Sequence, residues 1–255
     1  MEGKSMLMIP GPTPVPEAVL LAMAKAPIGH RSGDFSKVIA ELTENLKWLH
    51  QTKGDVLMLA ASGTGAMEAG IINFLSPGDK VLVGDNGKFG ERWVKVSKAF
   101  GLNVEVVKEE WGKPLNPEAF RALLQADKEK AIKAVIITHS ETSTGVLNDL
   151  KAINKYVKEH GESLIIVDAV TSLGAVDIPV DELGLDVVGS GSQKGYMIPP
   201  GMAFVSVSKK AWKAYETAKI PKFYLDLGKY KKETDQDSSP FTPPINMMYG
   251  LQASL

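Results

Sequence analysis

Short apolar runs rich in branched residues recur along the chain, and each is followed by glycine, serine or aspartate. Their length and composition are typical of strands buried in a sheet. The seven runs are DVLMLAASG (55–63), KVLVGD (80–85), NVEVVK (103–108), AVIITHS (134–140), SLIIVDA (163–169), DVVGSG (186–191) and MAFVSVS (202–208). Because helical patterns lie between most of them, the chain predicts an α/β fold with a mainly parallel sheet of about seven strands.

The segments between these runs place apolar residues at helical spacing. Such segments cover residues 35–51, 64–75, 88–100, 116–126 and 149–161. The last connection is different, because the residues from Gly191 to Met202 are too few for a helical crossover. We therefore expect the final strand to run antiparallel to its neighbours.

Composition narrows the class of protein. The chain has 255 residues, of which 44% are apolar, and its 29 basic residues nearly balance its 30 acidic ones. This balance disfavours nucleic acid and anionic membranes as partners. The chain has no cysteine, which excludes disulfides and thiolate chemistry and suits the cytoplasm. No apolar stretch is long enough for a signal peptide or a membrane span.

A turn of small residues, ASGTGAMEAG (61–70), joins the first predicted strand to a helix. Ligands of parallel α/β sheets bind beyond the carboxyl ends of the strands, where such turns lie. The backbone N–H groups of Thr64, Gly65 and Ala66 would be free there and would suit a phosphate. A tight turn with Thr64 as the N-cap explains the same residues. The turn is neither GxGxxG nor a Walker A sequence, which disfavours a nucleotide.

Asp168 ends the buried run LIIVD. A carboxylate at that position is costly unless it meets a cation or hydrogen-bond donors. It can hold a metal, orient a histidine, pair with a protonated heterocycle or cap the segment after it. We predict no metal site, because the four histidines show no ligand spacing such as HxxxH.

Lys194 lies among small residues in GSGSQKGYMIPPG (189–201). A lysine on a loop is usually just solvated, but here a flat ligand has room to approach. A partly buried lysine has a lowered pKa and attacks carbonyl groups. Together, a phosphate-binding turn, the buried Asp168 and a reachable lysine are what pyridoxal 5′-phosphate (PLP) requires. Phe89 follows another strand end and can stack on the ring or simply pack within its helix.

The chain resembles class V, fold type I PLP enzymes, specifically the serine–pyruvate/alanine–glyoxylate aminotransferase group. The motifs that carry the resemblance are IPGPTPVP, SGTGAMEA, NGKFGERW, THSETSTGVL, VDAVTSLG, GSGSQKGYMIPPG, FYLDL and FTPP. They run through the whole chain in a specific order and spacing. The resemblance implies the PLP-binding large domain of fold type I, PLP as the cofactor, and a homodimer.

The resemblance also implies roles for the residues around the cofactor ring. Lys194 resembles the lysine that binds the cofactor aldehyde and moves protons, and Asp168 resembles the partner of the pyridinium nitrogen. Val170 takes the position against one ring face, and Phe89 takes the stacking position, where some members have tryptophan. Thr142 occupies the position that hydrogen-bonds to the ring hydroxyl.

Around the cofactor phosphate, Thr64, Gly65 and Ala66 resemble the cradle, with Gln193 beside them. Thr242 resembles a threonine that reaches the phosphate of the neighbouring subunit's cofactor. The residues just before it, SPF, depart from the tyrosine that is often found near this position, which weakens that contact.

The C-terminal end departs further from the family. The stretch PPINMMYGLQASL begins a helix and stops without a C-cap glycine or a basic last turn, so we expect a fragment. Family members continue into a C-terminal small domain that holds an arginine for the substrate carboxylate, and no residue here can take that role. We expect an N-terminal arm (1–20), a PLP-binding large domain (21–240) and the start of the connection to the missing domain (241–255).

The predicted function is PLP-dependent transamination between a small amino acid, alanine or serine, and a 2-oxo acid, glyoxylate or pyruvate, through an imine on Lys194. A PLP lyase on the same fold is one alternative, although a desulfurase would need a cysteine. A noncatalytic accessory subunit of a soluble hydrogenase assembly is another, since cyanobacterial proteins of that name share the motifs. The intact set of Lys194, Asp168 and Thr64 favours the enzyme.

Overall fold

The predicted strands form one sheet in the computed structural model, which describes residues 7–255. The strands are β1 (Asp55–Leu59), β2 (Lys80–Asp85), β3 (Asn103–Lys108), β4 (Ile132–Thr138), β5 (Ser140–Glu141), β6 (Val146–Leu147), β7 (Leu164–Asp168), β8 (Val187–Gly191) and β9 (Ala203–Val207). All but β5 and β6 belong to a seven-stranded sheet in the order β1-β9-β8-β7-β4-β2-β3. β5 and β6 form a separate hairpin that the sequence did not predict.

Strand direction also agrees with the prediction. β9 runs antiparallel to both of its neighbours, β1 and β8, while the other pairings in the sheet are parallel. The mainly parallel sheet and its reversed last strand are therefore confirmed. As a consequence, every strand of the seven-stranded sheet except β9 ends at the same edge, which we call the carboxyl edge of the sheet.

The helices include all those expected and several more. They are α1 (Glu17–Met23), α2 (Gly33–His50), α3 (Gly63–Ile72), α4 (Lys88–Ala99), α5 (Pro117–Ala126), α6 (Leu150–His160), α7 (Val180–Leu183), α8 (Lys209–Tyr215), α9 (Leu227–Thr234) and α10 (Ile245–Ser254). The unexpected helices α1, α7, α8 and α9 have eight residues or fewer, too few turns to show a clear periodicity. Within residues 7–255, no helix combines the length and the apolar character that a membrane span requires.

Alternating strand residues build a core on each face of the sheet. In β4, Val135 and Ile137 join a cluster that includes residues of α2, α5, α6 and α10. Ala134 and Ile136 face the opposite cluster, which includes residues of α3, α4, α8 and α9. The sheet is therefore the middle layer of three, and both of its faces are covered, as buried parallel strands require.

Helix α3 lies close to the sheet because small residues line the contact. A Cβ atom on Gly70 would lie 3.4 Å from the Ile166 side chain, and one on Gly189 would lie 3.2 Å from Ala66. α3 packs mainly on β8 and β9. This close packing fixes the first turn of α3 beside the residues that follow β7 and β8.

Candidate cofactor site

The predicted site residues gather at the carboxyl edge. Asp168 is the last residue of β7, and it pairs with Gly189 of the neighbouring strand β8. β8 ends at Gly191, and Lys194 follows three residues later. Two neighbouring parallel strands therefore deliver the aspartate and the lysine to one place, as the topology rule for α/β sheets anticipates.

Asp168 is only 3% exposed and has few partners. Its Oδ1 accepts the backbone N–H of Val170 at 2.9 Å. Among the described residues, no donor meets the other carboxylate oxygen. Burial raises the pKa of Asp168 to about 6, against the lowering effects of the Val170 N–H, Arg92 and Lys194. The group thus caps the following turn, one of the expected alternatives, and still has an oxygen available for a cation.

Lys194 lies in a turn that the surrounding backbone holds in place. The N–H of Met197 donates to the Lys194 carbonyl at 2.9 Å, and the Ser192 hydroxyl donates to the Pro199 carbonyl at 2.7 Å. Burial lowers the pKa of Lys194, and the charge of Asp168 acts in the opposite direction. A lysine with a lowered pKa carries a larger fraction of the uncharged amine, which is the nucleophilic form.

The N-terminal arm covers Lys194, a contact that the sequence did not predict. The Lys194 Nζ donates to the Pro10 carbonyl at 2.9 Å, and the Thr13 N–H donates to the Gln193 carbonyl at 3.0 Å. A Cβ atom on Gly11, where φ is +152°, would overlap the Lys194 side chain. The motif IPGPTP therefore belongs to the site, and glycine is required where the arm crosses the lysine.

The first turn of α3 corrects the predicted phosphate cradle. Ser62, not Thr64, is the N-cap, and the helix begins at Gly63. The N–H groups of Gly65 and Ala66 are not free, because both donate to the Ser62 carbonyl, at 2.8 and 3.3 Å. Within residues 7–255, the N–H groups of Gly63 and Thr64 have no acceptor. The free donors thus lie earlier than predicted, since a helix leaves its first N–H groups unpaired.

Val170 lies beside this turn, and Gln193 lies beside the end of β8. A Cβ atom on Gly63 would lie 2.7 Å from Val170 Cγ2, so the valine contacts the start of α3 directly. A Cβ atom on Gly191 would lie 3.4 Å from Val170 Cγ1 and 3.5 Å from Gln193 Oε1. Both predicted residues therefore lie beside the end of β8, and Val170 also lies beside the start of α3.

Phe89 lies in the first turn of α4, and sequence reasoning missed an arginine that follows it in the same helix. The guanidinium of Arg92 lies over the Phe89 ring, 4.7 Å from its centroid. The same guanidinium donates from Nη1 to Thr64 Oγ1 at 3.1 Å. Arg92 therefore joins the stacking residue to the start of α3. The i, i+3 spacing of Phe89 and Arg92 within NGKFGERW was the available signal.

Thr142 and Thr242 occupy different surroundings. Thr142 Oγ1 donates to Thr171 Oγ1 at 3.2 Å, and Thr171 Oγ1 donates to the Ser140 carbonyl at 3.0 Å. This chain places Thr142 beside the segment that follows Asp168. Thr242 is exposed in the loop between α9 and α10. Its predicted contact is with a neighbouring subunit, so its role stays a prediction.

The residues present fit PLP. The buried Asp168 has an oxygen ready for a protonated ring nitrogen, and the free N–H groups of Gly63 and Thr64 lie at the positive end of α3, where a phosphate is stabilised. Lys194 has the lowered pKa that an aldehyde-binding amine needs. These three observations correspond to the three polar parts of the cofactor.

Comparison with known proteins agrees with this geometry. The family model for aminotransferase class-V matches residues 6–255. The chain is 71% identical over 255 residues to the "soluble hydrogenase 42 kDa subunit" of Anabaena cylindrica, covering all of this chain and 67% of that relative. It is 38% identical to the serine–glyoxylate aminotransferase of Methylorubrum extorquens, covering 99% of this chain and 65% of that relative.

A solved structure shows the same fold. The alanine–glyoxylate aminotransferase of Nostoc sp. superposes with a TM-score of 0.92 at 33% sequence identity, covering all of this chain and 68% of that one. The fold type I architecture expected from the sequence is therefore confirmed. The chain spans about two thirds of the length of the relatives that it matches.

Proposed function

The chain belongs to the class-V aminotransferase family, whose members depend on PLP, and we propose that it catalyses transamination between a small amino acid and a 2-oxo acid. Alanine or serine is the proposed donor, and glyoxylate or pyruvate is the proposed acceptor. The observation that carries the proposal is the position of Asp168 and Lys194 at the ends of neighbouring strands, where burial raises the pKa of the first and lowers that of the second. The chain spans about two thirds of the length of its relatives. The activity, the donor and the acceptor are therefore proposals.

Lys194 does the proton chemistry in this proposal. When bound, PLP supplies an aldehyde and a ring that withdraws electrons from the substrate Cα. With its pKa lowered by burial, the Lys194 amine can attack a carbonyl carbon. The uncharged amine would also take the proton from the substrate Cα and later give it up, acting as base and then as acid.

Asp168 keeps the ring nitrogen protonated in this proposal. A cation beside the buried carboxylate favours its charged form, so the raised pKa of Asp168 falls when the cofactor binds. The free N–H groups of Gly63 and Thr64 would hold the phosphate, and Phe89 and Val170 would confine the ring. These residues bind and orient, and Lys194 moves the proton.

We also propose that the protein works as a homodimer in the cytoplasm. The exposed position of Thr242 supports a role across a subunit interface, since this side chain is available to a second copy. Light scattering on the purified protein would show a dimer, and Thr242→Val would weaken PLP binding without changing the mass. A monomer that binds PLP normally would rule out this part of the proposal.

An accessory subunit of a hydrogenase assembly is the second candidate, and the name of the Anabaena cylindrica relative favours it. The two candidates differ in one measurement. An enzyme with bound PLP, given alanine or serine and no acceptor, should release 2-oxo acid equal in amount to its cofactor. Added glyoxylate should then restore the absorption spectrum that the protein had before the amino acid was added. It should also allow repeated turnover.

Lys194→Ala is the control for this experiment, and it should release no 2-oxo acid. A wild-type protein that binds PLP but turns over no amino donor would favour the accessory subunit. A wild-type protein that does not bind PLP would contradict the proposed function outright.

A further inference from the structure

The first turn of α4 is capped by another part of the chain. Its N-cap residue, Gly87, has no side chain to cap with. Instead, the Lys88 N–H donates to Ser143 Oγ at 3.0 Å. The Phe89 and Gly90 N–H groups both donate to Glu141 Oε2, at 3.0 and 3.1 Å. Three successive donors at the start of the helix are thus satisfied by Glu141 at the end of β5 and by Ser143 in the loop between β5 and β6.

Glu141 is wholly buried, and both of its oxygens are used. Besides the two helix N–H groups on Oε2, its Oε1 accepts the Ser143 N–H at 3.1 Å and the Ser143 hydroxyl at 2.6 Å. A buried carboxylate is costly without such donors, and the positive end of a helix stabilises it further. The four hydrogen bonds therefore fix the position of the first turn of α4 relative to the loop.

The contact is so close that it dictates the residue at position 87. A Cβ atom on Gly87 would overlap the Glu141 side chain and would lie 2.7 Å from Ser143 Oγ. Any larger residue at 87 would have to displace the carboxylate. The glycine in DNGKFGERW is thus explained by Glu141 and not by a left-handed backbone, since its φ of 171° is extended.

The start of α4 is connected to the proposed cofactor site by side-chain contacts. Phe89, whose N–H bonds to Glu141, is the predicted stacking residue, and the Arg92 guanidinium covers its ring. Arg92 in turn reaches Thr64 at the start of α3. A continuous series of contacts therefore runs from Glu141 through Phe89 and Arg92 to the proposed phosphate site.

We propose that Glu141 is a positioning residue for PLP, which it serves by capping α4 and so holding the Phe89 ring in place. The proposal rests on the proposed function, because it presumes that PLP binds beside Phe89. It goes beyond that function because it assigns a role to Glu141, a buried acid that acts through α4 and not on the reacting atoms.

The test measures the dissociation constant of PLP by equilibrium dialysis and the free energy of unfolding by urea. Glu141→Gln keeps the size of the side chain but turns one acceptor into a donor that faces helix N–H groups. We expect PLP to bind roughly 3- to 10-fold more weakly, as for the loss of one aromatic contact. Asp127→Asn is the matched control, because Asp127 also accepts two backbone N–H groups but lies at the opposite edge of the sheet. It should lower stability and leave PLP affinity unchanged.

A double-mutant cycle with Phe89→Leu separates positioning from general destabilisation. If Glu141 acts through the ring, Glu141→Gln should weaken PLP binding far less in the Phe89→Leu background than in the wild type. Equal effects in the two backgrounds, or unchanged PLP affinity in Glu141→Gln, would overturn the inference. Should Glu141→Gln fail to fold, Ser143→Ala removes the hydroxyl that links Lys88 to Glu141, and the same cycle applies to it. Failure of the wild type to bind PLP would instead overturn the proposed function.

Discussion

Asp168 and Asp127 lie at opposite ends of the strands of the sheet and differ in how many hydrogen-bond donors they meet. At the carboxyl edge, Asp168 has one backbone donor, and burial raises its pKa. At the amino edge, Asp127 accepts the N–H groups of Ala131 and Ile132, at 3.1 and 2.7 Å, and contacts His160. Burial acts to raise the pKa of Asp127 as well, but these partners outweigh it and the pKa is lowered.

Asp186, also at the amino edge, is paired as fully as Asp127. It accepts the Ile165 N–H at 3.0 Å and the Ser208 hydroxyl at 2.7 Å, and Lys210 lies 3.9 Å away. Acids with this many partners stabilise the fold. An acid left short of partners, as Asp168 is, costs stability and keeps a binding capacity that a ligand can use. Among these three acids, Asp168 is therefore the one suited to binding a ligand.

The largest expected effect comes from replacing one lysine at each edge of the sheet with alanine and comparing the two variants. Lys194→Ala should lower transamination by roughly 10⁴-fold, the upper end of what a positioned acid–base group contributes. Lys210→Ala, which removes a donor to the Ser163 carbonyl at 2.6 Å, should leave activity intact and lower stability. Steady-state kinetics and urea unfolding of both variants check the prediction. Equal losses of activity in the two variants would show that Lys194 is no more important for activity than Lys210.

Asp168→Asn should affect activity and stability in opposite directions. We expect kcat/KM to fall by about 10²–10³-fold, as for the loss of one charge-stabilising group. A carboxyl whose pKa is raised by folding favours the folded state at low pH, and that contribution is lost as pH rises from about 4 to about 6. Without cofactor, the variant should therefore be more stable than the wild type above pH 6, by at most about 3 kcal/mol.

The control for Asp168→Asn is the same comparison near pH 4. There the wild-type carboxyl is protonated, and the two proteins should unfold at similar urea concentrations. A wild type that is more stable than Asp168→Asn at pH 7 without PLP would show that Asp168 is a structural acid like those at the amino edge.

Asp127→Asn should show the opposite pH dependence. Because the pKa of Asp127 is lowered in the folded state, its contribution is present at neutral pH and is lost as pH falls below about 4. We expect the variant to be less stable at pH 7 by about 1–3 kcal/mol, as for a lost charge-assisted hydrogen bond. Urea unfolding at several pH values measures this. A constant difference from pH 7 to pH 3 would contradict the assignment.

The smallest expected effect compares two threonines of one loop. Thr142→Val removes the hydroxyl that bonds to Thr171 and should weaken PLP binding by about 3- to 10-fold, the contribution of one hydrogen bond. Thr144→Val removes a long 3.4 Å contact to the Glu141 carbonyl and should leave affinity unchanged. Equilibrium dialysis distinguishes the two. Equal weakening would mean that the loop responds as a whole and that Thr142 has no specific role.

The central part of the sheet was predictable because its strands are buried on both faces. The run KVLVGD coincides with β2, and LIIVD within the run 163–169 coincides with β7, since both are nearly continuous apolar runs. The hairpin of β5 and β6 was not predictable, because each of its strands has two residues and no periodicity. The domain boundaries at residues 20 and 240 stay predictions.

The positions of Asp168 and Lys194 were predictable because strand ends determine them. The free N–H groups of α3 were expected at the wrong residues because a helix boundary cannot be fixed from SGTG alone, where Ser62 and Thr64 are both good caps. The contact of Glu141 with α4 and that of the Pro10 carbonyl with Lys194 were missed for another reason. The partners in these contacts are 52 and 184 positions apart along the chain, so no local pattern reveals them.

We propose that PLP binds at the carboxyl edge through Lys194. The most direct test treats purified protein with PLP, reduces it with borohydride and maps the modified peptides by mass spectrometry. The prediction is one pyridoxyl group on Lys194, a visible absorption band that borohydride bleaches, and neither signal in Lys194→Ala. A colourless protein, or a label spread over surface lysines and retained in Lys194→Ala, would contradict the account.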